Sequence, residues 1–202
     1  MQDIGLILFG YLLGAIPFGY LVGKFWKGVD ITKIGSGNIG TTNTFRVLGP
    51  GPAAAVFVLD VSKGFVPIFF AQKLSPASPW LHVVVALITI LGHTLSVFLK
   101  FKGGKGVATS LGAIIGLNPL VAAIAFGLWV LFTAVTRYVS VASLVAAVSI
   151  PVMMFAFGLN APYKIFAIVA ATYVIYKHRS NVDRLLHGTE PRFGQKVKVE
   201  EE

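Results

Sequence analysis

Seven hydrophobic stretches separated by short polar connections are the feature that most limits how this chain of 202 residues can fold. Because a helix rises about 1.5 Å per residue, roughly 20 apolar residues are needed to cross the hydrocarbon core of a bilayer. The stretches cover residues 4–23, 51–72, 80–99, 106–116, 120–136, 139–158 and 163–176. We therefore predict one all-α polytopic membrane domain over residues 1–202 with seven transmembrane helices, and a mobile tail over residues 192–202. The fourth stretch is too short to cross comfortably, so a re-entrant pair with only five crossings stays open.

The composition excludes most other classes of protein. Apolar residues make up 55% of the chain and charged residues only 12%, and the mean hydropathy of +0.79 is far above that of soluble domains. A net charge of +9 favours anionic lipid, phosphate or carboxylate partners over nucleic acid. Since the chain has no cysteine, disulfides, thiolate nucleophiles and thiolate metal sites are excluded. Four scattered histidines argue against a metal site as well.

Lysine and arginine gather on alternate connections between the stretches. One set of connections carries Lys24, Lys27, Lys33, Arg46, Lys100, Lys102, Lys105, Arg137, Lys177, Arg179, Arg184, Arg192, Lys196 and Lys198. The opposite set carries only Lys73 and Lys164. Cytoplasmic loops of membrane proteins carry an excess of cations. We therefore predict an external amino terminus, a cytoplasmic carboxyl terminus, and polar motifs on the cytoplasmic side.

The first polar motif is GSGNIG at residues 35–40, followed by TTNTFR. It matches the dinucleotide fingerprint G-x-G-x-x-G, but that site needs a strand before the glycines, and here a membrane stretch precedes them. The glycines let backbone amides turn toward an anion. The residues that follow can begin a helix with Thr42, Asn43 and Arg46 near one face. A flexible turn beside the membrane is the alternative.

The second motif is FKGGKG at residues 101–106. Its glycine spacing is not that of a P-loop. A Gly-Gly-Lys-Gly turn that opens a helix nevertheless offers the amides of Gly103 and Gly104, a helix dipole and the Lys105 ammonium. These groups together suit a phosphate. The alternative is that the lysines only anchor the segment to anionic lipid headgroups.

The third motif, HRSNVDRLLHGTEP, follows the last stretch. His178 and Asn181 share a helix face and are expected to meet a substrate together. The spacing of His178 and Asp183 also spells H-x4-D, but about 140° on a helix separates such side chains. A His/Asp dyad is therefore disfavoured, and Asp183 is better explained by an ion pair with Arg179.

Charged and polar residues near the stretches complete the set of candidates. Asp60 and Lys63 lie inside the second stretch, where charges are costly, and their spacing predicts an ion pair that supports the site. Ser140 and Ser143 stand at a stretch entrance, where a hydroxyl can bind phosphate or a backbone group. The remaining histidines are interpreted as structural: His82, His93 and His187.

Taken together, GSGNIGTTNTFRVLG, GHTLSVFLKFKGGKGVATSLG, RYVSVAS and YKHRSNVDRLLHGTEPRF resemble the bacterial acyl-phosphate-dependent glycerol-3-phosphate acyltransferase family over essentially the whole chain. The resemblance implies transfer of a fatty acyl group from acyl phosphate to the 1-hydroxyl of glycerol 3-phosphate. The products would be lysophosphatidate and phosphate, in the first step of phospholipid synthesis. It also implies a multi-pass protein of the bacterial inner membrane without cofactor, metal or nucleic acid, with membrane lipids as neighbours. We favour a monomer.

The resemblance and the spacing together define the expected site. The catalytic candidates are Ser36, Arg46, Lys105, His178 and Asn181. The candidates for binding substrate or phosphate are Asn38, Thr42, Asn43, Gly103, Gly104 and Ser143. Two departures from the family pattern, Thr41 in place of alanine and Ser96 in place of proline, are not expected to touch the site.

Two other functions fit the same features. A membrane transporter of phosphate-bearing anions would use the same cations, but its charges are expected near the midplane in paired halves rather than at one face. A lipid-binding scaffold would explain the cationic loops but gives no need for the combination of serine, asparagine, histidine and arginine.

Overall fold

The computed structural model describes residues 1–195, which form ten α-helices and contain no strand. The helices are α1 Gln2–Ala15, α2 Phe18–Lys27, α3 Thr41–Leu48, α4 Pro50–Leu74, α5 Pro79–Thr94, α6 Val107–Leu117, α7 Pro119–Thr136, α8 Val139–Ala156, α9 Ala161–Lys177 and α10 Arg179–Leu186. A short 3-10 helix, Val97–Leu99, follows α5. The predicted all-α fold is confirmed. The tail expected over residues 192–202 lies outside the described residues from position 196 onward.

Five helical segments are long and apolar enough to cross a membrane: 2–27, 50–74, 79–99, 119–136 and 139–156. The helix α9 has 17 residues and reaches about 25 Å, whereas α6 has only 11 residues and reaches about 16 Å. The chain is thus a multi-pass helical membrane protein. The count of seven crossings stays a prediction.

The first crossing segment is broken in the middle. The helix α1 ends at Ala15 and α2 begins at Phe18, and Pro17 lies between them. Proline has no backbone N–H, so a continuous helix would lose a hydrogen bond at this position. At the break the carbonyl of Ile16 accepts a hydrogen bond from the Lys63 side chain of α4, at 2.7 Å, and another from the amide of Phe18 at 3.1 Å.

Close helix packing depends on small residues. The helix α1 packs mainly on α5, and α4 mainly on α6. A Cβ added at Gly14 of α1 would overlap the backbone of Thr89, and one added at Gly112 of α6 would overlap the backbone of Val61. Without water between membrane helices, such backbone approach is a principal source of their packing energy.

The polar connections meet at one end of the helix bundle. The ring of Phe45 in α3 stacks on that of Phe193, with 5.1 Å between the centroids. Arg46 donates to the carbonyl of Pro191 at 3.3 Å, and Arg137 donates to the carbonyl of Phe193 at 3.2 Å. The first and third basic connections therefore each contact the fourth.

The other end of the bundle is joined by separate contacts. Gln2 donates to the carbonyl of Leu74 at 3.2 Å. The His82 ring lies 3.3 Å from the Tyr163 hydroxyl and 2.9 Å from the Ser75 carbonyl. These bonds satisfy the polar atoms of the buried His82 ring, and they fit its interpretation as a structural histidine.

Candidate active site

A cavity of about 440 Å³ opens at the end where the basic connections meet. Most of the predicted site residues line it: Ser36, Asn38, Thr42, Asn43, Arg46, Asp60, Lys105, Ser143, His178 and Asn181. Three predicted residues do not line it, namely Lys63, Gly103 and Gly104. The structure thus brings residues from all of the motifs to one place.

The loop before α3 turns through two left-handed glycines. Gly35 has φ 65° and Gly37 has φ 66°, a region that is strained for other residues. The side chain of Asn38 accepts a hydrogen bond from the amide of Gly40 at 2.9 Å and so closes the next turn. This turn chemistry places the exposed Ser36 at the rim of the cavity.

Asn43 holds this loop in place. Its side-chain oxygen accepts from the amide of Ser36 at 2.9 Å, and its NH₂ group donates to the carbonyls of Ile31 and Ile34, each at 3.0 Å. Because both of its N–H bonds are used, Asn43 has no donor left for a phosphate. The prediction that Asn43 binds phosphate is therefore corrected: this buried amide shapes the loop that carries Ser36.

Arg46 projects into the cavity from the last turn of α3. Burial lowers its pKa below the ordinary value, and the nearby carboxylate of Glu190 partly offsets this effect. Because an arginine side chain titrates far above neutral pH, the guanidinium stays charged. One of its nitrogens is held by Pro191, and the fork geometry leaves further N–H donors for an anion.

The glycines of the second motif do not present their amides to the cavity. The amide of Gly103 donates to the Thr94 carbonyl at 3.1 Å, and that of Gly104 donates to the His93 carbonyl at 3.2 Å. The prediction that these amides bind phosphate is therefore corrected. The helix end that faces the cavity is the first turn of α6, which has no side-chain cap and lines the cavity from Gly106 onward.

Lys105 belongs to a hydrogen-bonded chain of side chains. It donates to the side-chain oxygen of Asn181, whose NH₂ group donates to Glu190 at 2.7 Å. Arg184 donates to the other oxygen of the same carboxylate at 2.8 Å. The carboxylate can only accept, so it fixes the orientation of the Asn181 amide and points its oxygen toward Lys105. Sequence reasoning missed both Glu190 and Arg184.

Burial lowers the pKa of Lys105 to about 8, and the positive charges of Arg184 and Arg46 act in the same direction. The half-buried ammonium is thus short of counter-charge, which an anionic ligand would supply. The carboxylate of Glu190 stays ionised, because hydrogen bonds from Asn181 and Arg184 outweigh the effect of burial and lower its pKa.

His178 is buried and neutral. Its Nδ1 lies 2.8 Å from the carbonyl of Val174, and since a carbonyl only accepts, Nδ1 carries the hydrogen. Burial lowers the pKa of His178 to about 4, although the Val174 carbonyl opposes the shift. The Nε2 atom therefore has a lone pair, on a residue that lines the cavity. This lone pair can accept a proton, as a weak base while the cavity holds no anion.

The predicted pair between Arg179 and Asp183 is not formed. Arg179 lies over the Tyr176 ring, 4.6 Å from its centroid, and Asp183 lies 3.5 Å from His187. Asp183 is exposed and does not line the cavity, so a dyad with His178 is absent from the described site. The exposed His187 is likewise distant from the cavity lining.

Ser143 serves the structure of α8 rather than a ligand. Its hydroxyl donates to the Val139 carbonyl at 2.8 Å and accepts from Nε1 of Trp129 at 3.2 Å. With its only hydrogen used, it has none to give to a phosphate, so this predicted role is corrected. Ser140, one turn earlier, is also buried and lines the cavity.

The ion pair predicted inside α4 is present, with 2.8 Å between Lys63 and Asp60. Both side chains are almost fully buried, and Asp60 forms part of the cavity wall. His93 of α5 lies beside them, with its Nδ1 3.7 Å from Asp60, and it also lines the cavity. Sequence reasoning did not connect this histidine to the site.

One departure from the family pattern touches the site. Thr41 lines the cavity and its hydroxyl is buried, contrary to the expectation that it lies apart from the site. Ser96 does lie elsewhere: its hydroxyl donates to the Ala15 carbonyl at 2.5 Å and fixes the end of α1.

The remainder of the cavity is apolar. Its walls come from α4, α6, α7 and α8, and include Phe57, Ile114, Ala146 and Ile150. Phe126 stacks on Phe57 and on Trp129, with 6.0 Å between centroids in each case. A ligand with a charged head and a hydrocarbon tail fits such a divided cavity. The fold is that of a multi-pass helical membrane protein, and its cavity joins a cationic end to an apolar remainder.

Comparison with known proteins gives the family. Residues 4–188 match the family model described as glycerol-3-phosphate acyltransferase. A protein of that name from Synechococcus sp. (strain JA-3-3Ab) is 49% identical, covering 94% of this chain and 92% of its own. One from Desulforamulus reducens is 44% identical, covering 97% of this chain and 98% of its own. The chain belongs to the glycerol-3-phosphate acyltransferase family, and it is an acyltransferase.

Two solved structures are similar throughout. Both are crystal structures of PlsY (YgiH), described as an integral membrane glycerol 3-phosphate acyltransferase. The glycerol 3-phosphate form has a TM-score of 0.93 and 43% identity, covering 96% of each chain. The lysophosphatidic acid form has a TM-score of 0.90 and 42% identity, covering 96% of this chain and 97% of the other.

Proposed function

We propose that this acyltransferase moves a fatty acyl group from acyl phosphate to the 1-hydroxyl of glycerol 3-phosphate, and releases lysophosphatidate and phosphate. The observation that carries the proposal is the meeting of Arg46, Lys105, His178 and Asn181 at the head of a cavity whose remainder is apolar. The forms in which the similar PlsY was solved, with glycerol 3-phosphate and with lysophosphatidic acid, support the same acceptor and product here.

The phosphate groups bind where positive charge is concentrated. Arg46 and Lys105 supply charged donors, and the first turn of α6 adds backbone amides and the positive end of its dipole. Ser36 and Thr42, at the rim, bind the hydroxyl groups or phosphate of the acceptor. Asn181 keeps Lys105 in place and contacts glycerol 3-phosphate from the same side. The acyl chain lies along the apolar walls.

The chemistry is direct transfer. An acyl phosphate is a mixed anhydride with a good leaving group, so the enzyme mainly orients the attacking hydroxyl and stabilises charge. The 1-hydroxyl oxygen forms a bond to the acyl carbon, the bond from that carbon to the phosphate oxygen breaks, and phosphate leaves. The hydroxyl proton passes to Nε2 of His178, with a substrate phosphate oxygen as the alternative acceptor.

We also propose the membrane arrangement that the charges favour. The protein crosses the bacterial inner membrane seven times as one domain and acts as a monomer. Its amino terminus is external, and its carboxyl terminus and cationic cavity are cytoplasmic. The concentration of lysine and arginine at the end that holds the cavity supports this orientation.

The proposal is tested with purified protein, glycerol 3-phosphate, and acyl phosphate, acyl-CoA or acyl carrier protein as separate donors. Lysophosphatidate is expected from acyl phosphate alone, with phosphate released only when the acceptor is present. Product from acyl-CoA or acyl carrier protein instead would contradict the donor. Uptake of glycerol 3-phosphate into vesicles without product would favour the transporter, an alternative that the relatives do not support.

Ser36 is expected to act without becoming acylated. When the protein is mixed with acyl phosphate in the absence of acceptor, intact-mass spectrometry should show unmodified chain, because the donor is reactive enough for direct attack. Ser36→Ala is expected to lower the rate while the acceptor hydroxyl remains the only nucleophile. An acyl adduct on Ser36 that glycerol 3-phosphate discharges would overturn direct transfer.

A further inference from the structure

The loop that carries Lys105 is seated on a buried histidine of α5. Gly104 donates its amide to the carbonyl of His93 at 3.2 Å, and Gly103 donates to the carbonyl of the next residue, Thr94, at 3.1 Å. His93 is only 3% exposed. Two successive backbone hydrogen bonds therefore fix the chain immediately before Lys105.

The two glycines approach His93 in different ways. A Cβ at Gly104 would overlap the imidazole ring of His93, with Nε2 as the nearest atom. A Cβ at Gly103 would overlap the backbone carbonyl of His93. Both glycines have ordinary backbone angles rather than left-handed ones. What requires glycine at these positions is therefore close contact with His93.

On its other side the ring of His93 lies beside charged residues of α4, within electrostatic range but beyond hydrogen-bond distance. Its Nδ1 lies 3.7 Å from Asp60, which is ion-paired with Lys63 at 2.8 Å. Lys63 also donates to the carbonyl of Ile16, at the break between α1 and α2. Each of the three side chains is at most 3% exposed. Burial of charged groups is costly, and the pairing of Lys63 with Asp60 and its bond to Ile16 offset part of that cost.

We propose that His93 is a positioning residue: its ring, buried beside Asp60, is the surface against which Gly104 packs, and so sets where Lys105 meets the phosphate of the substrate. The second motif then works through shape rather than through free glycine amides. The ion pair of Asp60 and Lys63 lies beside this ring, and the broken first span supplies a carbonyl that accepts a hydrogen bond from Lys63. The inference rests on the proposed function.

A second-site rescue tests the proposal. Gly104→Ala should raise the KM for glycerol 3-phosphate at least tenfold with a smaller change in kcat, because the new methyl group pushes the chain off the ring and moves Lys105. His93→Ala opens that space. The double variant should recover at least threefold in kcat/KM relative to Gly104→Ala alone. A double variant no better than Gly104→Ala would overturn the proposal.

Gly103→Ala is the matched control. Its methyl group meets the backbone carbonyl of His93, which every substitution at position 93 retains, so His93→Ala should give no recovery in the Gly103→Ala background. If the ring were instead the catalytic base, losses in the double variants would multiply in both backgrounds. Equal recovery in both backgrounds would also contradict a seat formed by the ring.

Two further measurements separate the possible failures. Thermal unfolding in detergent identifies variants that lose the fold. Calorimetry measures the affinity for glycerol 3-phosphate without catalysis, and so tests whether the contact between Gly104 and His93 affects substrate binding. If the unmodified protein makes no lysophosphatidate from any donor, the proposed function fails. If it is active and the calorimetric affinity shows no rescue by His93→Ala, only the positioning role fails.

Discussion

Lys105→Ala is expected to lower kcat/KM for glycerol 3-phosphate about a hundredfold while the protein stays folded, in line with the usual cost of removing one partner of a buried charge pair. The ammonium lies at the head of the cavity, and its donors face Asn181 and the space beyond it. Because the phosphate of the substrate supplies the counter-charge that the Lys105 ammonium lacks, the loss of kcat/KM should come mainly from a higher KM. A folded variant with nearly normal kinetics would reject the role.

The same side chain predicts how activity depends on pH. The pKa of Lys105 is lowered to about 8, so the ammonium form is complete below that value and is lost as pH rises through it. The charged groups that face it are Arg46, Lys177, Arg184 and Glu190. The two guanidinium groups and the carboxylate keep their charges across this range, whereas burial lowers the pKa of Lys177 as well. We expect kcat/KM to fall above about pH 8.

Lys105→Arg is the matched control for this pH dependence. A guanidinium stays charged well above pH 10, so the alkaline fall near pH 8 should disappear even if the altered shape lowers the maximum rate. An alkaline fall that is unchanged in Lys105→Arg would assign the titration to another group.

His178→Ala is expected to lower kcat by about 10²–10⁴-fold, which is the usual contribution of a positioned general base. The bond from Nδ1 to the Val174 carbonyl leaves Nε2 as the acceptor, and the pKa of about 4 keeps the ring neutral before substrate binds. Bound phosphate would raise this pKa and make the ring a better base. Single-turnover measurements with saturating acceptor check the effect on the chemical step.

His187→Ala provides the comparison, because His187 is exposed and lies outside the cavity lining. It should leave the rate unchanged. If His178→Ala loses less than tenfold while His187→Ala is normal, the proton passes to a substrate phosphate and His178 only orients the acceptor.

Much of the helical architecture could be predicted because it follows from hydropathy. The seven apolar stretches each became helical, and the charge pattern along the chain anticipated which connections meet. The break at Pro17 could have been read from the residue itself. The number of crossings is less certain from sequence, because the 11 residues of α6 are too few for a span and yet pack fully into the bundle.

The sequence predicted the positions of the site residues better than their roles. Motif spacing puts Asn43 and Ser143 at the cavity, but only coordinates reveal that their donors are already engaged by the backbone. The sequence does not show whether the hydrogens of a hydroxyl or amide group already form hydrogen bonds. Roles of this kind depend on partners up to twelve residues away, or on another helix.

Other residues were missed because their contacts depend on reversals of the chain that the sequence pattern did not indicate. Glu190 follows α10 in the sequence and reaches Asn181 only because the chain turns back after Leu186. His93 and Gly104 come together because the segment after α5 folds back on itself. The sequence signal for the contact with Asn181 was Glu190 in the segment GTEP, which is one of only two acids among the cations of residues 177–198.

Trp129, whose indole donates a hydrogen bond to Ser143, can serve as an intrinsic fluorescence reporter. Of the three tryptophans in the chain, Trp129 lines the cavity, whereas Trp26 and Trp80 are exposed on the surface. Its indole sits where the tail of a bound lipid would displace water and neighbouring rings. After the protein is mixed with substrate, a shift in the wavelength of tryptophan emission would then report how much of the cavity is occupied, in real time and without a label on enzyme or substrate.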